Sequence, residues 1–232
     1  MELFYASPEN IVSNLLTLDS FESNHIKNTL RKREGELIDV TDGCGNHYSG
    51  TILSLKPLVS VSLLSKSYFE PDPVRFHLGV GFIKPNRLEF ILEKGTEIGI
   101  NNFYFFKSEH ANYFSDNILR FEKITRQAIK QSNRFYLPQI QVFKNFDDFI
   151  KSTMDNTNKI AAIDSSYPGL KSVITSDESN FLFCAGPEGG FSETEIQKLK
   201  ENHFKPVSLG RHRLRAETAA IAGIAGIQCI IS

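Results

Sequence analysis

Residues 183–192, FCAGPEGGFS, place three glycines and a proline between an apolar run and a helix-start signal. The run FLFCA at 181–185 has the composition of a buried strand. Ser192 and Glu195 match the S-x-x-E pattern of a capping box, which predicts a helix to about residue 202. Because glycine lets backbone groups approach a small molecule closely, the loop between strand and helix is either an ordinary turn or a ligand-binding loop.

The chain around this stretch alternates strand and helix patterns from residue 74 onward. Strands are predicted at 74–83, 102–107, 159–164, 181–185 and 206–210, and helices at 86–97 with Asn86 as N-cap, 116–134, 193–202 and 216–231. The last helix is rich in alanine and glycine, which indicates close packing against another helix. This alternation predicts an α/β fold with a mostly parallel sheet.

The first 69 residues have a different pattern. Short strands are predicted at 36–42, 48–56 and 58–65, and DGCGN at 42–46 is a hairpin-turn signal. The segment KSYFEPDP at 66–73 carries two prolines, as linkers often do. We therefore expect a small β-barrel or sandwich at 1–69 and an α/β domain at 74–232.

Composition restricts the function. The cysteines at 44, 184 and 229 and the six histidines lack metal-ligand spacing, so we expect reduced thiols and no metal. No stretch reaches the roughly 18 apolar residues of a membrane span, and the start lacks a signal-peptide pattern, which predicts a cytoplasmic protein. P-loop and G-x-S-x-G motifs are absent from the sequence, and GVGFIK at 79–84 lacks the third glycine of a dinucleotide site.

The net charge is only −1, so any binding of nucleic acid must depend on local clusters of basic residues. Lys123, Arg126, Lys130 and Arg134 recur at spacings of three and four, which places them along one side of a helix. The segment KPVSLGRHRLR at 205–215 holds four basic residues and no acidic one. These residues form either solvated surfaces or contacts to nucleic acid.

Several segments together resemble the RsmE family of small-subunit ribosomal RNA uridine-N3 methyltransferases, which belong to the SPOUT class. The matching segments are HIKNTLRKREGE (25–36), DGCGNHYSG (42–50), EKGTEIGI (93–100), ITRQAIKQSNRFYLP (124–138), AGPEGGFS (185–192) and SLGRHRLRAETA (208–219). The last two, about 20 residues apart, are the most specific.

The resemblance implies a fold and a reaction. The fold is a PUA-like RNA-binding β-barrel followed by a SPOUT methyltransferase domain, whose C-terminal segment forms a trefoil knot. The cofactor is S-adenosyl-L-methionine, the substrate is a uridine of 16S rRNA in the small ribosomal subunit, and the enzyme is a homodimer. The glycine loop would then hold the cofactor through its backbone.

The resemblance also suggests roles for individual residues. The expected cofactor-binding residues are Ala185, Gly186, Pro187, Glu188, Gly189, Gly190, Leu209, Gly210, Leu214 and Thr218. The expected RNA-binding residues are Arg31, Lys94, Lys123, Arg126, Lys130, Gln131, Arg134 and Arg211. The expected catalytic residues are Arg134, Arg215 and Glu188, with the arginines stabilising the uracil anion.

The carboxylates keep alternative roles open. Glu188 or Glu97 would accept a proton, or each would hold a nearby Arg or Lys in place, and Lys94 with Glu97 has the spacing of a helical ion pair. Glu217 suits the N-terminal end of the last helix. Two other functions also stay open: a SPOUT enzyme acting on a ribose 2′-hydroxyl of another RNA, and a ribosome-binding module without catalysis.

Overall fold

The computed structural model describes residues 2–153, 158–175 and 178–232, which form two compact units. Residues 1–71 and 126–137 belong to the first unit, and residues 72–125 and 138–232 belong to the second. The segment 126–137, expected in the second domain, packs in the first unit, where Lys130 contacts Glu22 and Tyr136 contacts Tyr68. The units are therefore not two consecutive stretches of chain.

The first unit is built on one six-stranded sheet in the order β1-β4-β5-β6-β3-β2. Its elements are β1 (Leu3–Tyr5), β2 (Ile11–Val12), β3 (Leu15–Thr17), α1 (Ser20–Asn24), β4 (Leu37–Thr41), β5 (Asn46–Ser54) and β6 (Ser60–Tyr68). All described pairs are antiparallel except β1 with β4. The hairpin predicted from DGCGN is confirmed as β4 and β5. Helix α1 continues as a π-helical turn at His25–Leu30.

The second unit is a parallel α/β sheet in the order β12-β10-β11-β7-β8-β9. Its elements are β7 (Arg75–Gly81), α2 (Pro85–Glu97), β8 (Asn102–Phe106), β9 (Gln139–Phe143), α4 (Phe146–Ser152), β10 (Asn158–Ala162), β11 (Asn180–Ala185), α5 (Glu193–Glu201), β12 (Lys205–Val207) and α6 (Ala216–Ile231), with α3 (Ile118–Gln131) beginning in this unit. Every described strand pair in this sheet is parallel.

Local signals explain where these helices begin. The capping box is confirmed: Glu195 N donates to Ser192 Oγ at 3.2 Å, and Ser192 N donates to Glu195 Oε2 at 3.0 Å. The predicted N-cap at Asn86 is wrong, because α2 begins at Pro85 with Lys84 as its cap. Proline is well suited to the first helical position, where no N–H partner is needed.

The small residues of α6 serve the packing of this helix on the sheet. A Cβ added at Gly223 would lie 2.1 Å from Cζ of Phe183, so only glycine leaves room for this ring of β11. The close approach predicted for α6 is therefore made to strand β11, and α6 also contacts helix α2. None of the described helices combines the length and apolar content needed to cross a membrane.

Candidate functional site

A cavity of the second unit lies where three parallel strands end. Loops that follow β10, β11 and β12 surround a volume of about 740 Å³. The carboxyl ends of parallel strands are where α/β folds bind their ligands, and the volume is within the range of small-molecule sites. The glycine loop of residues 186–190 forms one wall, and residues 208–215, which we call the arginine segment, form another.

The glycine loop turns tightly and leaves open space beside its backbone. Gly190 N donates to Pro187 O at 2.9 Å, and Gly190 has φ +79. A Cβ added at Gly190 or at Gly210 would meet no atom within 4 Å. A ligand can therefore lie close to the main chain at these two positions without meeting a side chain.

Two neighbouring residues, Gly81 and His110, pack closely against the glycine loop. A Cβ at Gly81, the last residue of β7, would lie 2.7 Å from Cδ of Pro187, so this glycine makes room for the proline. A Cβ at Gly189 would lie 2.7 Å from Cβ of His110. The ring of His110 also lies 3.3 Å from the carbonyl oxygen of Gly190, measured from Nδ1.

Arg87 on α2 joins the glycine loop to the start of α6. Its Nη1 donates to Glu188 Oε1 at 2.6 Å, and its Nε lies 3.5 Å from Glu217 Oε1. On the other side of the loop, Arg213 Nη2 donates to the carbonyl oxygen of Glu188 at 2.8 Å. Glu188 is thus held from two sides. The second carboxylate oxygen of Glu217 is buried and has no hydrogen-bond partner in the described part of the chain.

The cavity is electropositive. Four arginines line it against two carboxylates, which gives a net charge of +2 with histidine neutral; they are Arg87, Arg211, Arg213 and Arg215, and Asp164 and Glu188. The hydroxyl and backbone N–H of Ser166 donate to Asp164 Oδ1, and these bonds lower the pKa of Asp164. A cavity of this charge attracts a polyanion such as RNA.

The structure brings together most of the residues predicted to bind a cofactor. Nine of the ten line the cavity: Ala185, Gly186, Pro187, Glu188, Gly189, Gly190, Leu209, Gly210 and Leu214. The tenth, Thr218, is exposed in the first turn of α6. Of the predicted catalytic residues, Glu188 and Arg215 line the cavity, whereas Arg134 belongs to the first unit.

The residues predicted to bind RNA lie in different environments. Arg211 lines the cavity, while Lys94 Nζ lies 2.8 Å from both Glu93 Oε1 and Glu97 Oε1, which confirms the helical ion pair. In the first unit, Arg31 is exposed at the end of the π-helical turn with φ +54.

The predicted basic stripe on α3 is not uniformly solvated. Lys123 and Gln131 are exposed, and Arg134 is half-buried. The guanidinium of Arg126 lies 4.8 Å from the centroid of the Tyr5 ring. Lys130 is only 11% exposed, and its Nζ lies 2.5 Å from Glu22 Oε1. Lys130 is therefore a weaker candidate for an RNA contact than its spacing indicated.

Sequence reasoning missed Arg87, Asp164 and His110. Asp164 follows β10 just as the glycine loop follows β11, so the rule on strand ends would have found it. Arg87 carried no such signal, because its partner Glu188 is 101 positions away in the sequence. The described residues include no group of three or more His, Cys, Asp or Glu side chains placed to hold a metal ion.

The known proteins that this chain resembles are RNA methyltransferases. The model of the RNA methyltransferase domain family matches residues 70–228. The chain is 26% identical over 235 residues to Ribosomal RNA small subunit methyltransferase E of Buchnera aphidicola, covering 95% of this chain and 92% of that protein. The protein of the same name from Bacillus subtilis is 27% identical over 221 residues, covering 89% and 86%.

A solved structure has the same fold over nearly the whole chain. It is that of a Ribosomal RNA small subunit methyltransferase E from Neisseria gonorrhoeae bound to S-adenosyl methionine. Its TM-score is 0.89 with 26% identity, and the match covers 99% of this chain and 98% of that one.

Proposed function

The chain belongs to the RNA methyltransferase domain family, and from this premise we propose that it methylates N3 of a uridine in the 16S rRNA of the small ribosomal subunit, with S-adenosyl-L-methionine as methyl donor. The proposal rests mainly on the cavity between the glycine loop and the arginine segment, at the ends of parallel strands. The names of the similar proteins support the small-subunit rRNA as substrate, and the ligand of the similar structure supports the cofactor.

The residues of the cavity fit this cofactor. The open space beside Gly190 and Gly210 lets a ligand lie close to the main chain, and Leu209 and Leu214 supply apolar contact. Asp164 is suited to accept hydrogen bonds from ribose hydroxyls or from an ammonium group. When bound, S-adenosylmethionine supplies an activated methyl group on its sulfonium.

The protein's own task is to orient the uracil and to help N3 lose its proton. Negative charge then develops on the ring and on its carbonyl oxygens, where a nearby cation is stabilising. Arg215 lines the cavity and caps α6 with its backbone alone, so its guanidinium is a suitable group. Arg134 remains the second candidate for this role.

Glu188 is better suited to positioning than to proton transfer. One of its oxygens accepts a hydrogen bond from Arg87, and its carbonyl oxygen accepts another from Arg213. Of the two roles open to this carboxylate, we therefore favour holding Arg87 and the glycine loop in place. Deprotonation of N3 is then left to solvent or to an RNA group.

We also propose that the enzyme is a homodimer of the SPOUT class, with the trefoil knot expected from the resemblance, and that it acts in the cytoplasm. Small exposed residues, Thr218, Ala222 and Cys229, share one face of α6, which permits a second subunit to approach closely. Light scattering of the purified protein distinguishes a dimer from a monomer.

The alternatives differ in what they bind and modify. A module without catalysis would not need the open glycine positions 190 and 210, and a titration with S-adenosylmethionine should then give no binding. A ribose methyltransferase would bind the cofactor and modify a 2′-hydroxyl. The experiment is to incubate the protein with labelled cofactor and with small subunits or free 16S rRNA. We expect label in the small-subunit rRNA.

A further inference from the structure

We propose that a second cavity, in the first unit, binds an unstacked nucleobase of single-stranded RNA. This inference rests on the proposed function only in so far as the protein acts on RNA. The cavity has a volume of about 510 Å³, which lies within the range of small-molecule sites. It is lined by residues of β1, of α1 and the π-helical turn, and of the C-terminal part of α3 and the residues that follow it, all within the first unit.

Aromatic side chains supply surfaces on which a base can stack. Phe21 is 48% exposed although it lines the cavity, which is unusual for a phenylalanine beside a core. His25, whose side chain is 35% exposed, lines the same cavity. Proteins that recognise single-stranded RNA stack its splayed-out bases on such rings.

Carboxamides supply the polar contacts. Gln127 and Gln131 lie one helical turn apart on α3, and Asn133 follows the helix with φ +52. All three are exposed and line the cavity, and in the described part of the chain their amide groups make no side-chain hydrogen bond to the protein. A carboxamide presents a donor beside an acceptor, which matches the edge of a nucleobase.

The charge of the cavity favours a base over a phosphate. Lys130 is its one lysine or arginine among the lining residues, and its ammonium is already paired with the buried carboxylate of Glu22 at 2.5 Å. The carboxylate of Glu2 lines the cavity as well, 3.0 Å from His25 Nε2. This carboxylate would repel a bound phosphate, and the cavity has no unpaired lysine or arginine among its lining residues to offset the repulsion. A neutral base carries no charge and is not repelled.

The test measures the affinity of the full-length protein for a short single-stranded RNA, by fluorescence anisotropy at several salt concentrations. We expect Phe21→Ala to weaken binding about 5- to 100-fold, the usual loss of one stacked base. Because no phosphate contact is removed, the dependence of log affinity on log salt should keep its slope. Gln131→Ala, at an exposed helical position that tolerates alanine, should weaken binding in the same way.

Matched variants separate stacking from general disturbance. Leu64→Ala removes an exposed apolar side chain, 64% exposed against 48% for Phe21, from the same unit outside the cavity, and it should leave affinity unchanged. Phe21→Tyr keeps the ring and should bind like the original protein. An abasic ribose-phosphate oligomer should bind the original protein and Phe21→Ala equally well.

Three results would overturn the base site: unchanged RNA affinity in folded Phe21→Ala and Gln131→Ala, a salt slope reduced by about one contact, or an equal loss with the abasic oligomer. Failure of the proposed function is a separate outcome, because cofactor titration and methyl transfer detect it directly. A protein that methylates rRNA normally but gives any of the three results refutes the base site alone.

Discussion

Arg87 and Glu188 form an ion pair that ties α2 to the glycine loop, with 2.6 Å between Nη1 and Oε1. Both side chains are about one quarter exposed, at 24% and 27%, so water screens the pair only in part. The same guanidinium lies 3.5 Å from Glu217 on α6. The glycine loop and the start of α6 are therefore linked through one side chain, which preorganises the loop before a ligand binds.

Removing this link should weaken cofactor binding. We expect Arg87→Ala to raise the Kd for S-adenosylmethionine about tenfold, because a charged hydrogen bond contributes roughly 1.5–3 kcal/mol and partial exposure reduces this. Isothermal calorimetry measures the change. Arg120→Ala is a suitable control, since Arg120 pairs with Glu89 by two bonds of 2.9 Å outside the cavity. If Arg87→Ala and the control bind S-adenosylmethionine with equal affinity, Arg87 does not position the glycine loop for cofactor binding.

Substitutions in the glycine loop should separate steric from conformational effects. Gly189→Val should abolish cofactor binding and leave the fold intact, because its Cβ would lie 2.7 Å from Cβ of His110 and displace an exposed loop. The positive φ lies at Gly190, where alanine should cost about 1–2 kcal/mol in conformational strain and asparagine less.

Gly169→Ala is the matched control for the loop, since Gly169 has φ −69 and its Cβ would meet no atom within 4 Å. Calorimetry and thermal unfolding together read out both effects. Undiminished cofactor affinity in folded Gly189→Val would make the loop an ordinary turn.

Two arginines of the basic stripe should behave differently. Arg134→Ala should lower the single-turnover methylation rate by about 100-fold or more, as does the loss of a donor that stabilises the transition state. Arg126→Ala should weaken RNA binding, flatten its salt dependence by roughly one contact and leave turnover at saturation intact. Because Arg126 also packs on Tyr5, its loss should lower the free energy of unfolding.

Cofactor affinity is the reference for both arginine variants and should not change. If Arg134→Ala alters RNA affinity alone and turnover at saturation survives, Arg134 is a further phosphate contact.

His77 should make the protein sensitive to acid. Burial lowers the pKa of His77 in the folded protein, and its Nε2 lies 2.8 Å from Asn180 Oδ1. The unfolded chain therefore takes up the proton more readily, and stability falls as the pH drops below about 6.5. Urea unfolding at about pH 7.5 and about pH 5 should give a larger loss for the original protein than for His77→Asn. Equal losses would show that other groups govern the acid response.

The sequence predicted elements whose signals are local. The glycine loop was found because an apolar strand, glycines and a capping box stand together within 15 residues, at 181–195. Helix α6 was predicted with its observed bounds for a similar reason. The N-cap of α2 was missed by two residues, because Asn86 competed with a proline at the first helical position.

Long-range pairs could not be read in this way. Lys130 was predicted to lie on a helix side that is either solvated or in contact with RNA, yet it pairs with Glu22, which is 108 residues away in the sequence. The same holds for Arg87 and Glu188. The spacing of residues along a helix determines which face of the helix a side chain is on, but it does not identify the residue that the side chain contacts from elsewhere in the chain. The knot is a property of the chain path, and it stays a prediction of the resemblance.

The most direct test is to map the methyl group. Small ribosomal subunits from cells that lack the protein are incubated with it and with labelled S-adenosylmethionine, and the rRNA is then analysed at base resolution. We predict one labelled position, a uridine methylated at N3, and loss of that label in Gly189→Val. Label on a ribose 2′-hydroxyl, or no transfer by a protein that binds the cofactor, would contradict it.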